Sequence, residues 1–166
     1  EVRFEGVVFR HPGATGPTLD GVDLVAPAGA TTAIVGPSGA GKSTLLTLVA
    51  RFGDVESGRV LLGGRDVRAS DPVDLYRDLS MVFQDVYLFD TTIEENVRLG
   101  RPDATDGEVR AAAQQARLDD VVARLPMGWA TMVGEGGSRL SGGERQRVSI
   151  ARAVLKDAPI LLLDEV

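Results

Sequence analysis

A glycine-rich segment around residue 40 has the residue types and the spacing of a phosphate-binding loop. It follows the pattern G-x-x-x-x-G-K-S. A triphosphate needs many hydrogen-bond donors around a small concavity, and glycines let the backbone curl tightly enough for its N–H groups to supply them. Lys42 brings a positive charge to the β- and γ-phosphates, and the Ser43 hydroxyl can ligate Mg²⁺. The predicted nucleotide-binding residues are Gly36, Pro37, Ser38, Gly39, Ala40, Gly41, Lys42, Ser43 and Thr44.

The segments on both sides of this loop favour the same interpretation. Residues 31–35 form a compact apolar run that predicts a strand. After the loop, Leu45, Leu48, Val49 and Phe52 fall on one face of a predicted helix. A strand, a glycine-rich loop and a helix in this order open a nucleotide-binding α/β unit, and the helix N-terminus adds N–H donors. The alternative is a glycine-rich turn with a lysine that is there by chance.

A second segment offers another site that favours negative charge. Residues 140–147 read L-S-G-G-E-R-Q-R, in which Ser141 supplies a hydroxyl and Gly142 and Gly143 supply exposed amides at the start of a predicted helix. Ser141 and Glu144 also have the spacing of a capping box. Taken alone, the segment could equally be an ordinary capped helix after a glycine turn.

Two carboxylates follow an apolar run near the end of the sequence. Residues 160–163 are four apolar residues after a proline, which is typical of a central parallel strand. Asp164 would then lie at the carboxyl end of a strand, where it can hold the shell of a Mg²⁺ ion. Glu165 points elsewhere and can orient or deprotonate an attacking water. The alternative is an acidic helix cap or a surface loop.

Two further segments complete the set of motifs. Residues 83–85 read F-Q-D after a strand predicted at residues 80–83, and residues 131–137 read T-M-V-G-E-G-G. In their order along the chain, all these motifs resemble those of the ABC ATPase family. The family's motifs are the phosphate loop, the Q-loop, the X-loop of exporter-fold transporters, the signature sequence and the Walker B strand with its acidic pair. The joint match covers essentially the whole chain.

The resemblance implies roles that the residues alone leave open. The chain would bind ATP and Mg²⁺ and hydrolyse ATP, with Glu165 as the catalytic base and Asp164 in the metal shell. Gln84 in the Q-loop would reach Mg²⁺ or the attacking water, although without the family it is simply an exposed loop glutamine. His11 stands where the family has an aromatic residue that stacks on adenine, and a smaller imidazole ring should bind the base more weakly.

The resemblance also implies a fold and partners. The fold class is α/β: a P-loop NTPase core with a parallel sheet, an N-terminal antiparallel β subdomain and an inserted helical subdomain at about residues 86–140, all within one domain, 1–166. Thr92 with Glu95 and Thr105 with Glu108 read as capping boxes in that subdomain. Two nucleotide-binding domains, of the same or a related chain, would meet head to tail. Ser141, Gly142 and Gly143 of one copy would close over the ATP of the other.

We further expect a transmembrane domain, fused upstream, and a position at the cytoplasmic face of the cell's inner membrane. Glu1 is not a methionine, and Val166 directly follows the acidic pair, so we expect both ends to be cuts within a longer protein. The family's D-loop and switch histidine come after this point, and we therefore expect the chain alone to hydrolyse ATP poorly.

The composition of the chain and the spacing of its motifs exclude some of the alternative functions. Cysteine is absent and histidine occurs once, which excludes disulfides, thiolate metal sites and multi-histidine metal sites. The net charge of −6 argues against a nucleic-acid partner. Lys42 and Ser141 are only 99 positions apart (141 − 42), which leaves no room for the long coiled coil of repair-type ABC ATPases. A non-transport ABC ATPase of the translation type stays open as the alternative, and a different P-loop NTPase has no role for the second motif.

Overall fold

The structure is a computed structural model that describes residues 1–165, so Val166, the last residue of the predicted domain 1–166, lies outside the described residues. The chain divides into two units, Glu1–Arg77 and Asp78–Val166. The first unit carries an antiparallel sheet and the second carries a parallel strand pair with most of the helices. These elements agree with the predicted α/β fold class, which combines an antiparallel β part, a parallel sheet and a helical part.

The sheet of the first unit has four antiparallel strands: β1 (Val2–Phe9), β2 (Leu19–Ala26), β3 (Ser57–Leu62) and β4 (Arg65–Asp66). Their order in the sheet is β2-β1-β3-β4. Apolar residues of β1 pack inward, with Phe4 buried on one side of an irregularity in the strand and Val7 buried on the other. A turn of two glycines, at residues 63–64, joins β3 to β4.

Helix α1 (Lys42–Val49) follows the glycine-rich loop and buries the predicted apolar residues Leu45, Leu48 and Val49. The expectation that Phe52 continues this face is wrong. The chain leaves the helix at Arg51, which has a φ of 56°, and the Phe52 side chain is 56% exposed. Helix α2 (Pro72–Arg77) begins with a proline, and the Asp71 carboxylate just before it accepts a hydrogen bond from the backbone N–H of Val73 at 2.8 Å.

The predicted strand at residues 31–35 is not present, because this segment has no regular secondary structure. Val35 is 88% exposed. An apolar run becomes a strand only where a neighbouring strand pairs with its N–H and C=O groups. No such partner pairs with this run among residues 1–165.

The second unit contains a parallel pair formed by β5 (Leu79–Val82) and β6 (Ile160–Leu163), in which Val82 lies opposite Leu163. The two strands were predicted at these positions. The expectation that β6 is a central strand is wrong for the described residues, because β6 pairs with β5 alone. Leu161 and Leu163 are accordingly 46% and 45% exposed. The apolar run predicts burial, but it does not reveal how many strands lie beside it.

The helices of the second unit pack around one apolar cluster, which includes the fully buried Leu88, Val109 and Val148. Trp129 packs against this cluster, and the guanidinium of Arg110 lies 3.8 Å from the centre of its ring. The helices are α3 (Ile93–Arg98), α4 (Asp106–Gln115), α5 (Asp119–Val122) and α6 (Gly142–Lys156).

All three predicted capping boxes are confirmed, at the starts of α3, α4 and α6. In each box the side-chain oxygen of the first residue accepts a hydrogen bond from the glutamate N–H, and the glutamate carboxylate accepts one from the first residue's N–H. The backbone hydrogen bond is the largest cause that lowers the pKa of each of these glutamates below its usual value. The start of each helix is therefore set by local sequence.

A substitution at Gly100 is expected to destabilise the second unit. Gly100 follows α3, and a Cβ atom at this position would overlap the carbonyl oxygen of Arg152 in α6. Because that oxygen belongs to the backbone, only a shift of one helix can relieve the overlap. Gly100→Ala should therefore lower the free energy of unfolding by about 1–3 kcal/mol. Urea denaturation followed by circular dichroism measures this loss.

Gly107→Ala in α4 is the matched control for that substitution. A Cβ atom at Gly107 meets only the Thr105 hydroxyl, at 3.9 Å, which is an ordinary van der Waals distance. Because alanine favours a helix over glycine, this variant should be as stable as the original chain or more stable by up to about 1 kcal/mol. Equal unfolding midpoints for the two variants would contradict the close approach of α3 to α6.

Candidate functional site

The glycine-rich loop of the first unit is exposed from Gly36 to Ala40. Its backbone curls through conformations that only glycine adopts easily. Gly39 and Gly41 have φ angles of 79° and 86°, in the left-handed region. Gly41 is also tightly packed, because a Cβ atom there would lie 2.8 Å from the Leu19 side chain. The curl leaves the loop backbone open on one side, as a phosphate cradle requires.

The Lys42 side chain lies against this loop. Its ammonium group donates hydrogen bonds to the carbonyl oxygens of Gly36, at 3.1 Å, and of Pro37, at 2.9 Å. The positive charge is thereby placed at the loop that opens α1. An ammonium group has three rotatable donors, so it can contact phosphate oxygens from this position.

The start of α1 adds backbone donors to the same site. The first helical hydrogen bond after the loop runs from the N–H of Leu45 to the carbonyl of Gly41, at 3.0 Å. The N–H groups of Lys42 and Thr44 belong to the first turn of α1, and first-turn N–H groups point out of the start of a helix. Together with the helix dipole, they favour an anion at the loop. The loop, the lysine and the helix start therefore fit a nucleotide's phosphate tail.

His11 lies beside the phosphate loop rather than at a remote strand end. Its Nε2 atom is 3.1 Å from the Thr44 hydroxyl oxygen. Its ring stands edge-on to the Phe9 ring, with the ring centres 5.0 Å apart and an angle of 87° between the planes. The chain's single histidine is thus held from two sides, next to the helix that carries Lys42 and Ser43.

The carboxyl ends of the two parallel strands bring three predicted site residues together in the second unit. Gln84 follows β5, and Asp164 and Glu165 follow β6. The Gln84 amide nitrogen donates a hydrogen bond to the Glu165 carboxylate at 2.7 Å. The Asp164 N–H donates to the Val82 carbonyl at 3.0 Å, which continues the pairing beyond the strands. Amide and carboxylate oxygens at such an edge can serve a metal ion and a water molecule.

The turn Ser141, Gly142 and Gly143, which we call the signature turn, is exposed at the start of α6. The capping box there uses the N–H groups of Ser141 and Glu144 and not those of the two glycines. A Cβ atom at Gly143 would meet nothing within 4 Å, so the space in front of the turn is open. Another molecule can therefore approach the two glycine amides.

A groove in the second unit was not predicted from the sequence. It has a volume of about 400 Å³, and its wall includes four partly exposed apolar side chains. Four residues of α6 at positions 149, 152, 153 and 156 lie along it, which is the spacing of one helix face. The sequence signal was the aromatic-rich stretch 83–89. The residues that define the lateral groove are Phe83, Tyr87, Phe89, Leu99, Arg152 and Lys156.

The predicted site residues thus fall into three groups. His11 and residues 36–44 lie in the first unit, whereas Gln84, Asp164 and Glu165 form a second group and the signature turn a third. No group of three or more histidine or carboxylate side chains within residues 1–165 is arranged as a metal cluster. Across the same residues, no helix combines the length and apolar character that a membrane crossing needs.

Comparisons with known proteins agree with one another. The family model described as "ABC transporter" matches residues 19–166. The chain is 52% identical over 164 residues to the mycobactin import ATP-binding/permease protein IrtB of Mycobacterium tuberculosis, covering 99% of this chain and 28% of that protein. It is 49% identical to the mitochondrial iron-sulfur clusters transporter atm1 of Aspergillus fumigatus, covering 99% of this chain and 23% of that protein.

A solved structure agrees with these sequence matches. It is the structure of a bacterial Atm1-family ABC exporter with ATP bound, to which the chain is 48% identical with a TM-score of 0.95. The match covers 99% of this chain and 28% of that one. The chain therefore spans about a quarter of the length of the relatives it matches.

Proposed function

Because the chain belongs to the ABC transporter family, we propose that it is the nucleotide-binding domain that binds and hydrolyses ATP to power the transport of a substrate across a membrane. The observation that carries the proposal is the exposed glycine-rich loop at the start of α1, with the Lys42 ammonium held against the loop carbonyls. We take the whole chain, residues 1–166, as this one domain. Residues 86–140 are its helical subdomain, and the helices in this range pack around an apolar cluster that includes Leu88, Val109 and Val133.

The phosphate tail of ATP would lie in the loop formed by residues 36–44. The loop amides and Lys42 would hold the β- and γ-phosphates, and the His11 ring beside Thr44 would contact the adenine. Imidazole offers less stacking area than a phenol ring, so the adenine should contribute less to the affinity for ATP here than where it stacks on a tyrosine.

The residues proposed for Mg²⁺ and for the attacking water carry oxygen ligands only. In the first unit the hydroxyl of Ser43, and in the second unit the amide of Gln84 and the carboxylate of Asp164, offer the kinds of oxygen ligand that Mg²⁺ prefers. Mg²⁺ neutralises charge on the β- and γ-phosphates when it is bound. Glu165 would accept the proton of the attacking water, and the 2.7 Å hydrogen bond from Gln84 would orient its carboxylate.

A second copy of this domain would complete the site. The signature turn is exposed and has two glycine amides that its capping box does not use. In a head-to-tail pair, the turn of one copy would meet the γ-phosphate held by the other. Association of the two copies would then depend on ATP, because a diphosphate lacks the group that bridges them.

The lateral groove is our proposed docking site for the transmembrane part of the transporter. Tyr87 and Phe89 are 59% and 53% exposed on its wall, which is costly for aromatic side chains unless a partner covers them. The groove also adjoins Phe83, the residue before Gln84. This partner would place the domain at the cytoplasmic face of the cell's inner membrane.

Binding of ATP and association of two copies test the proposal together. Titration of the chain with a fluorescent ATP analogue and Mg²⁺ should show saturable binding that unlabelled ATP displaces. Sedimentation with ATP and Mg²⁺ should show a dimer fraction that ADP does not produce. No saturable binding would overturn the function, whereas binding with no ATP-dependent association would overturn the head-to-tail arrangement.

A further inference from the structure

Asn96 is a fully buried polar residue that fixes one wall of the lateral groove. Its side-chain oxygen accepts a hydrogen bond from the N–H of Phe89 at 3.0 Å, and its amide nitrogen donates to the Phe89 carbonyl at 2.9 Å. The same nitrogen also lies 3.0 Å from the Thr91 hydroxyl and from the Thr92 carbonyl. The loop that carries the groove's aromatic residues is therefore tied to α3.

Arg152 in α6 holds Asn96 from the other side. Its Nε atom donates to the Asn96 backbone carbonyl, and its Nη2 atom donates to the Asn96 side-chain oxygen, both at 3.0 Å. Burial lowers the pKa of the Arg152 guanidinium, because its charge is partly removed from water. The rigid fork of the guanidinium fits this pair of acceptors, and a lysine ammonium does not reproduce that geometry.

A second contact, one turn further along, joins the same two helices. Gly100 lies four positions after Asn96, and its α-carbon is so close to α6 that a side chain would overlap the Arg152 carbonyl. Helix α3 and the glycine that follows it thus contact α6 at two points, through the side chain and the backbone carbonyl of Arg152. When the groove wall is displaced, α6 must then move with it, because packed helices resist continuous deformation and do not slide freely past each other.

Helix α6 runs from the signature turn to the groove. It is continuous from Gly142 to Lys156. Arg152 lies nine positions after Gly143 (152 − 143), about 14 Å along the helix axis. One end of the helix therefore presents the glycine amides to a neighbouring nucleotide, and the other lines the groove.

We propose that Arg152 is a positioning residue that passes the state of the lateral groove through α6 to the signature turn. Its fork on Asn96 makes the groove loop, α3 and α6 move together, so that a partner seated on Tyr87 and Phe89 sets where the turn meets ATP. This inference rests on the proposed function. It predicts that Arg152 affects the rate of hydrolysis rather than the affinity for ATP, because the phosphate loop is in the other unit.

A double-mutant cycle in the full-length protein, reconstituted in lipid vesicles, tests the link. Arg152→Met keeps much of the aliphatic stem and removes the fork, and Tyr87→Ala removes part of the groove wall. Each single variant should lower the kcat for ATP hydrolysis about tenfold, with the KM for ATP and the Kd of the fluorescent analogue within about twofold. The double variant should hydrolyse ATP no more slowly than the slower single variant, since both substitutions remove the same coupling between the groove and the signature turn.

Arg98→Met is the matched control. Arg98 is an arginine of α3 that pairs with Glu94 and Asp106 and not with α6. Its loss should lower the melting temperature but leave kcat within about twofold, and its effect should multiply with that of Tyr87→Ala. Should Arg152→Met fail to fold, Arg152→Lys carries the same test.

The possible outcomes separate this inference from the proposed function. The link would be overturned, while the function stands, if the effects of the Arg152 and Tyr87 substitutions on kcat multiply. It would also be overturned if Arg152→Met and Arg98→Met have the same kcat at equal melting temperature. An original protein that neither binds nor hydrolyses ATP would overturn both.

Discussion

Replacing Lys42 with alanine should weaken Mg-ATP binding by a factor of about 100 or more and abolish hydrolysis. The ammonium group is the positive charge at the phosphate loop, and the carbonyls of Gly36 and Pro37 hold it there. A hydrogen bond to a charged group contributes about 1.5–3 kcal/mol, and two such bonds to phosphate oxygens correspond to at least that loss in Kd. Titration with the fluorescent ATP analogue measures the affinity.

Arg65→Ala is the matched control for the lysine. Arg65 is an exposed residue of β4 in the same unit, so its loss removes one positive charge without touching the loop. A general electrostatic attraction for ATP would weaken similarly in both variants. If Lys42 acts at the loop itself, Arg65→Ala should instead bind ATP within about twofold of the original chain, since an exposed charge away from the loop is screened by salt. Binding by Lys42→Ala at the original affinity would remove the basis of the phosphate site.

The features that could be predicted from the sequence are those that a few neighbouring residues determine. A capping box needs only two residues three positions apart, and the boxes at Thr92, Thr105 and Ser141 form as predicted. The phosphate loop likewise needs only its own glycines and the start of the next helix. Its curl at Gly39 and Gly41 follows from local backbone preference.

The features that could not be predicted depend on residues far apart in the chain. The apolar run at residues 31–35 predicts a strand, but pairing needs a partner that the run itself does not specify. The same limit applies to β6, whose neighbours decide whether it is a central or an edge strand. The contact between Asn96 and Arg152 joins residues 56 positions apart, and no local pattern marks it.

The pairing of Gln84 with Glu165 lies between these cases. Glu165 was predicted from the end of its own apolar strand, whereas Gln84 was predicted from the resemblance to the family. Their meeting follows from parallel pairing in register, which sets Val82 opposite Leu163 and brings both following segments to one edge. The hydrogen bond at 2.7 Å then gives the carboxylate a fixed direction, which a catalytic base needs.

Glu165→Gln in the full-length protein should slow ATP hydrolysis by a factor of about 100 to 10,000, the usual contribution of a general base. Glutamine keeps the shape of the side chain and can still accept the hydrogen bond from Gln84, but it cannot take a proton from water. The phosphate loop is unchanged, so affinity for Mg-ATP should stay within about threefold. With ATP held and not hydrolysed, the dimer closed by two signature turns should accumulate, which size-exclusion chromatography with ATP detects.

Asp157→Asn controls for the loss of one negative charge near the same strand. Asp157 ends α6 with a φ of 54°, and asparagine tolerates that left-handed conformation, so the fold should not change. This variant should hydrolyse ATP at the original rate and form no lasting dimer. A Glu165→Gln protein that still turns over ATP at the original rate would exclude Glu165 as the base. Slow turnover without dimer accumulation would instead support Glu165 as the base but exclude the closure of ATP by a second copy. If the signature turn contacts the γ-phosphate, ATP that is bound and not hydrolysed must bridge the two copies.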